Sequence, residues 1–176
     1  PDVKTVADYL EESGYETAYV GKWHLASGGN RYGEEKDDYK TEAVPLNRRG
    51  GYRGFWRASD VLEFTSHGYG GYVFDENGNR HDFTGYRSDC ITDYALEFLD
   101  GYDGEKPFFM TISQIEPHHQ NDHDRYEGPD GSKERFGEFE LPPDLKLPGS
   151  NAAEEYPDYL GCCRSLDENL GRLVEK

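Results

Sequence analysis

Twice along the chain a helical stripe of apolar side chains leads, through a short turn, into a strand-like run that ends in cations and imidazoles. The first copy has Val3, Val6, Ala7 and Leu10 at the spacing of one helix face, a stop at Ser13-Gly14, and a strand from Glu16 to Val20. The second has Ile91, Tyr94, Ala95, Phe98 and Leu99, with Ser88 as the expected cap and Gly101 as the stop, and then PFFMTIS from Pro107 to Ser113. A continuous apolar run of that kind predicts a strand buried on both faces, and helix-to-strand units build parallel sheets covered by helices. The predicted class is therefore α/β, with mainly parallel sheet strands. Their polar residues fall at the carboxyl ends, where open α/β sheets bind ligands. A helix and a strand are half of a β-α-β unit, so the first copy implies a partner strand before residue 1. A last stripe, Tyr159, Cys163, Leu166, Leu170 and Leu173, runs uncapped to the final residues. Both ends read as cuts through a longer domain.

Between the two units, from Gly28 to about Gly71, the pattern dissolves into Gly, Arg, Tyr and Asp, which predicts a long recognition loop. Tyr72 to Phe83, YVFDENGNRHDF, carries Asn77-Gly78 between two short runs and predicts a small β-hairpin insert, a flap. Asp75 to Asn79 starts as a calcium loop does. Arg80 stands where such a loop needs Gly, so the hairpin is the better reading.

Bulk properties remove several function classes. The 176 residues suffice for one domain with its own core. Against 36 Asp and Glu stand 19 Lys and Arg, a net charge of -17, whose field repels nucleic acid and anionic lipid. No apolar run approaches the roughly 18 residues of a membrane span. Cys90, Cys162 and Cys163 show no Cys-x-x-Cys spacing and read as packed thiols.

In an extended chain residues i and i+2 point the same way, so Lys22 and His24 project together while Trp23 returns to the core. Gly21 lets the backbone leave the strand sharply or approach a ligand closely. The pair is a two-donor cradle for an anion, although on spacing alone a solvated Lys and His paired with local carboxylates is the commoner outcome. A second cluster, Glu116, His118 and His119, follows the second strand. His119, Asp122, His123 and Asp124 are metal-ligand types, but sequence-adjacent ligands rarely converge on one ion and no zinc spacing fits. They read as a solvated loop, and no metal ligand is assigned. Arg48, Arg49, Arg53, Trp56 and Arg57 are candidates to grip an anionic ligand by charge and stacking, a pattern that plain surface arginines also produce.

The stretch GYETAYVGKWHL, Gly14 to Leu25, resembles the second signature of the type I sulfatases. KPFFMTISQIEPHHQ resembles the later sulfatase segment in which a buried strand runs into a Pro-His pair, and YLGCCRSLDENLGRLVE the helix after it. These pieces span almost the whole chain. Residues 28–86 are variable in that family and are the expected substrate-recognition region. The resemblance implies one domain over 1–176, part of an alkaline-phosphatase-like α/β/α sandwich, in an enzyme that hydrolyses sulfate esters with a formylglycine and a divalent metal, usually calcium. Neither the Cys-x-Pro-x-Arg motif nor the Asp-Asp metal pair that precedes it in the family occurs here. The chain therefore reads as the middle of a catalytic domain, inactive alone, with formylglycine and calcium belonging to the full-length enzyme.

Carried over from the family, Lys22 contacts a sulfate oxygen and one formylglycine hydroxyl. His24 bonds the other hydroxyl and acts as base, and His118 binds sulfate near the leaving oxygen. His119, with Arg53 and Trp56, is assigned to substrate binding. The expected partner is a sulfated small molecule or carbohydrate, with homo-oligomers through exposed sheet edges. An exported or periplasmic setting follows from the family, and this segment carries no signal for it. Two other readings stay open: a phosphate mono- or diesterase of the same superfamily, and a non-catalytic anion-binding module.

Overall fold

In the computed structural model, which describes residues 3–28 and 38–176, the first strand, β1 (Glu16–Lys22), lies inside a five-stranded sheet. Its burial explains its place: Thr17, Ala18, Tyr19 and Val20 are all buried, Tyr19 packing on one face and Val20 on the other. β2 (Phe55–Ser59) and β5 (Phe108–Ser113) flank it and run parallel to it. β3 (Tyr69–Asp75) and β4 (Arg80–Tyr86) continue the sheet antiparallel, giving the order β4-β3-β2-β1-β5. The predicted α/β class with a parallel centre is what forms.

Helices cover both faces. On one, α1 (Val6–Glu12) places Ala7 against Tyr19, Trp23, Tyr52 and Trp56. On the other, α3 (Arg87–Gly101) places Ile91 and Ala95 against Val20, Val73 and Phe83, and α5 (Ala152–Glu175) lies beyond it. Two short helices, α2 (Leu62–Thr65) and α4 (Ser132–Phe136), complete the α/β/α layering. Among the described residues no helix is long and apolar enough to cross a membrane. Of the expected recognition loop, residues 29–37 lie outside the described residues, and the rest is interrupted by β2 and α2. β2 escapes a pattern search because Arg57 breaks its apolar run. The fold accepts this buried cation by pairing it with Glu76 at 2.9 Å and Glu97 at 2.8 Å.

Several local expectations change. The hairpin forms around Asn77-Gly78, but it extends the main sheet and does not stand apart as a flap. β5 is half-buried along most of its length, because among the described residues it pairs with β1 alone. Ser88 is not a cap: it lies buried inside the first turn of α3, whose cap is Tyr86 without a side-chain bond. Val3 and Val6 of the first stripe are exposed. On α5 the buried side chains are Pro157, Cys162, Ser165 and Asn169, and Leu170 faces outward. Hydrogen bonds hold that interface: Ser165 meets Ser88, and the Asn169 amide donates to Asp89 at 2.7 Å. The three cysteines are free thiols; Cys162 is buried, which pushes its thiol up to about 11 and removes it as a nucleophile.

Candidate active site

The carboxyl ends of the parallel strands gather the polar residues. β1 does not break at Gly21 but passes through it to Lys22, and the glycine is there for space. A Cβ at residue 21 would sit 2.1 Å from the Ser113 carbonyl oxygen on β5, and its φ of +105° disfavours any L side chain. Trp23 then turns into the core, its Nε1–H donating to the Arg48 carbonyl at 3.0 Å.

His24 does not continue the extended alternation. Its φ is +53°, a left-handed conformation uncommon for a side-chain-bearing residue and one that clusters at functional sites. The turn is held from β2. Trp23 N–H donates to the Ser59 carbonyl at 2.9 Å and His24 N–H to that of Asp60 at 2.6 Å. The fully buried Asp60 carboxylate then accepts the backbone N–H groups of Leu25, Ala26 and Ser27 at 3.0, 2.9 and 2.6 Å. The His24 imidazole is exposed and makes no hydrogen bond or ion pair with another described residue.

Lys22 and His118 converge on one carboxylate. Lys22 Nζ donates to Glu63 Oε1 on α2, a pair with both side chains largely buried. His118, in the turn after β5, directs Nδ1 to the His119 carbonyl, which leaves Nε2 3.7 Å from the same Glu63 oxygen. Burial alone would raise the Glu63 carboxyl, but the Lys22 hydrogen bond and charge, with His118 behind it, hold it below its ordinary value. An ammonium and an imidazole from distant points in the sequence therefore face one carboxylate oxygen. The second Glu63 oxygen is buried without a partner among the described residues.

Beneath this cluster lies a buried polar network. Arg87 Nε pairs with Glu116 at 2.8 Å, and its Nη1 reaches Ser66 and the Gln120 amide oxygen. Gln120 Nε2 donates to the Glu63 carbonyl at 3.3 Å, tying the loop after β5 to α2. His119 points elsewhere. It packs edge-on against Tyr126 at 5.2 Å and lines a cavity of about 560 Å³ with Tyr126, Tyr156 and Tyr159.

The two other assigned substrate residues are not at this edge. Trp56 is 1 % exposed in the core, between Tyr19 and the Arg49 guanidinium, so it has no face to offer a sugar. Arg53 precedes β2, at the opposite end of the sheet, where it pairs with Asp8 at 2.7 Å. Arg49 and Arg57 are likewise buried in structural bonds. Sequence reasoning missed Asp60, Glu63 and Gln120. The signal that would have found the first two is the strand itself: once Phe55–Ser59 is read as parallel to β1, the following residues fall at the ligand-binding edge.

Among the described residues the one group of three closely spaced ligand types is His67, Asp122 and His123, a nitrogen-rich set, whereas calcium needs six to eight oxygens.

Comparison with known proteins agrees with this architecture. The Sulfatase family model matches residues 1–176. N-acetylglucosamine-6-O-sulfatase of Bacteroides thetaiotaomicron is 31% identical over 119 residues, covering 66% of this chain and 17% of that protein. The uncharacterized sulfatase YidJ of Escherichia coli is 25% identical over 202 residues, covering 98% of this chain and 38% of that one. The chain thus spans less than two fifths of the length of these relatives. Among solved structures, one from a study of glycosaminoglycan metabolism by Bacteroides thetaiotaomicron superposes with a TM-score of 0.76 at 18% identity, over 99% of this chain and 38% of that one. Another, solved in complex with its substrate D-glucosamine-2-N,6-O-disulfate, gives 0.61 at 20% identity, over 99% of this chain and 46% of that one. With a shared α/β/α fold and a family match along its whole length, this chain belongs to the sulfatase family.

Proposed function

We propose that the chain supplies the sulfate-side donors of a sulfuric ester hydrolase acting on a sulfated carbohydrate, with Lys22 and His118 on the sulfate oxygens and His24 beside them as the proton-transfer group. The observation that carries this reading is the convergence of Lys22 and His118 on a single carboxylate oxygen of Glu63. A site that draws an ammonium and an imidazole to one oxyanion is built for an ester whose transition state spreads negative charge over several oxygens. Glu63 holds the Lys22 side chain in place while no substrate is bound, and the ester oxygens take its place. The exposed imidazole of His24, on a turn fixed by Asp60, meets the requirement for a group that moves a proton near neutral pH. In the complete enzyme the formylglycine and calcium that the family implies would supply the nucleophile and a Lewis acid, and the chemistry assigned to this segment is oxyanion stabilisation and proton transfer.

The carbohydrate reading rests on the cavity beside His119. Three tyrosines around one histidine offer flat apolar faces with polar rims, which suit a sugar ring. The relative named as an N-acetylglucosamine-6-O-sulfatase and the neighbour solved with a disulfated glucosamine support the same class.

The test measures sulfate release from a 6-sulfated glucosamine by the complete enzyme. Lys22→Ala should lower kcat/KM by at least about 100-fold, the equivalent of roughly 3 kcal/mol of oxyanion stabilisation. Because Lys22→Ala leaves Glu63 buried and unpaired, the double variant Lys22→Ala/Glu63→Gln controls for folding. Unchanged sulfate release in the double variant, or a wild-type preference for the matching phosphate ester, would refute the proposal.

A further inference from the structure

The turn after α2 and the loop after β5 bring together three groups that the sulfate reading leaves unused. His67 Nε2 lies 2.8 Å from Asp122 Oδ2, and the rings of His67 and His123 stack 4.2 Å apart with 4° between their planes. One ligand atom from each of His67, Asp122 and His123 falls within 4.8 Å of the other two. His119 and Asp124, the other metal-ligand types in the loop, do not join them: His119 faces Tyr126, and the Asp124 side chain is 99% exposed.

Each of the two loop ligands is braced from behind. Gln120, 2% exposed, donates Nε2 to Asp122 Oδ1 at 2.5 Å, which leaves Oδ2 to face His67. Glu127 accepts the Gly68 N–H at 2.7 Å through Oε2 and meets His123 Nδ1 at 2.5 Å through Oε1. His123 Nδ1 is therefore committed, and Nε2 is the nitrogen left to coordinate. A carboxylate behind a histidine and an amide behind a carboxylate are the supports that metal-binding side chains carry. Two imidazoles and one carboxylate match zinc and ions of similar softness, and not the all-oxygen shells of calcium or magnesium. Zinc bonds of about 2.0–2.1 Å set tetrahedral ligand atoms roughly 3.3 Å apart, so the ligand atoms, within 4.8 Å of one another, must draw closer and the stacked imidazoles must turn out of parallel for both lone pairs to meet one ion.

We propose that His67, Asp122 and His123 form a binding site for a zinc-class divalent cation, with the fourth coordination position open to water or to an oxygen of a bound ligand. The His67 and Asp122 side chains are 43% and 56% exposed, which gives the ion a path from solvent. Gln120 joins this site to the sulfate-side cluster, since its Nε2 also reaches the Glu63 carbonyl. The proposal stands on its own ligand geometry and does not depend on the sulfatase reaction.

Equilibrium dialysis of the full-length protein against Zn²⁺, with Ca²⁺ in excess, tests it. The wild type should retain one more Zn²⁺ per chain than the His67→Ala/His123→Ala variant. Glu127→Gln should weaken that binding by roughly 10–100-fold, and Asp124→Asn should leave it unchanged. Circular dichroism checks the fold of each variant. Anomalous diffraction at the zinc edge from wild-type crystals gives a reading independent of any substitution: a peak bonded to both imidazoles and Asp122 supports the site. Equal zinc uptake by wild type and double variant, or a zinc peak confined to another position, overturns it.

Discussion

Replacing Gly21 by alanine isolates the contact that brings the two site-bearing strands together. Two costs arise. The backbone at φ +105° disfavours any L side chain by about 1–2 kcal/mol. The new methyl group would also lie 2.1 Å from the Ser113 carbonyl oxygen, and a rigid backbone atom cannot rotate away. β1 and β5 must part by about 1 Å there, which forfeits ladder hydrogen bonds at about 1 kcal/mol each and loosens the packing beside them. The sum is about 3–5 kcal/mol, a large share of the ~5–15 kcal/mol that holds a domain together. Gly14→Ala is the control: Gly14 has φ +87°, and a methyl group there would meet nothing within 4 Å, so it carries the conformational cost alone. Urea unfolding of both variants gives the difference, and amide exchange over Phe109–Ser113 should accelerate in Gly21→Ala and not in Gly14→Ala. Equal destabilisation of the two variants would show that the close approach of the strands is not what requires glycine.

Two further predictions follow from buried carboxylates. Asp60→Asn places an amide NH₂ where the carboxylate now accepts N–H groups, so it should cost about 2–3 kcal/mol and lower kcat for sulfate release by the complete enzyme through loosening of the Leu25–Ser27 backbone that follows His24; an unchanged kcat would remove Asp60 as a positioning residue. Burial pushes the Asp75 carboxyl up, but bonds from Asn79, His81 and Asn77 outweigh this and hold it well below the usual range. A folded-state value below the unfolded one near 3.9 gives stability that is complete above that pH and lost as pH falls beneath it. Asp75→Asn should therefore cost about 1–2 kcal/mol at neutral pH and flatten acid unfolding below about pH 4; an acid limb as steep as that of the wild type would contradict the assignment.

The strand and helix units are legible in the sequence because their apolar periodicity is what the sheet and its flanking helices bury. Residues whose burial is offset by distant groups are not. Arg57 hides β2 because its two acidic partners, Glu76 and Glu97, lie far along the chain. Trp56 resembles a sugar platform because an aromatic beside arginines reads the same in a core as on a surface. Ser165 and Asn169 yield to leucines in a reading of α5, since a polar helix interface has no periodic signature. At the site, the Gly-Lys-Trp-His and Pro-His stretches lead to Lys22 and His118, but Glu63 and Asp60 follow a strand that the pattern does not reveal. His67 and His123 meet only through the tertiary fold, so local spacing gives no hint of their pairing.

The hydrogen-bonded seam between α3 and α5 has a mechanical consequence. Leucine contacts tolerate sliding, whereas the Ser165–Ser88 bond and the bonds that the Asn169 amide donates to Ser88 and Asp89 are satisfied at one setting of the helix. Tyr156 and Tyr159 ride on the same rod, so a slip of one turn, about 5.4 Å, would carry both away from His119. The seam works as an index pin: it dictates where the tyrosine wall of the cavity stands without touching that wall.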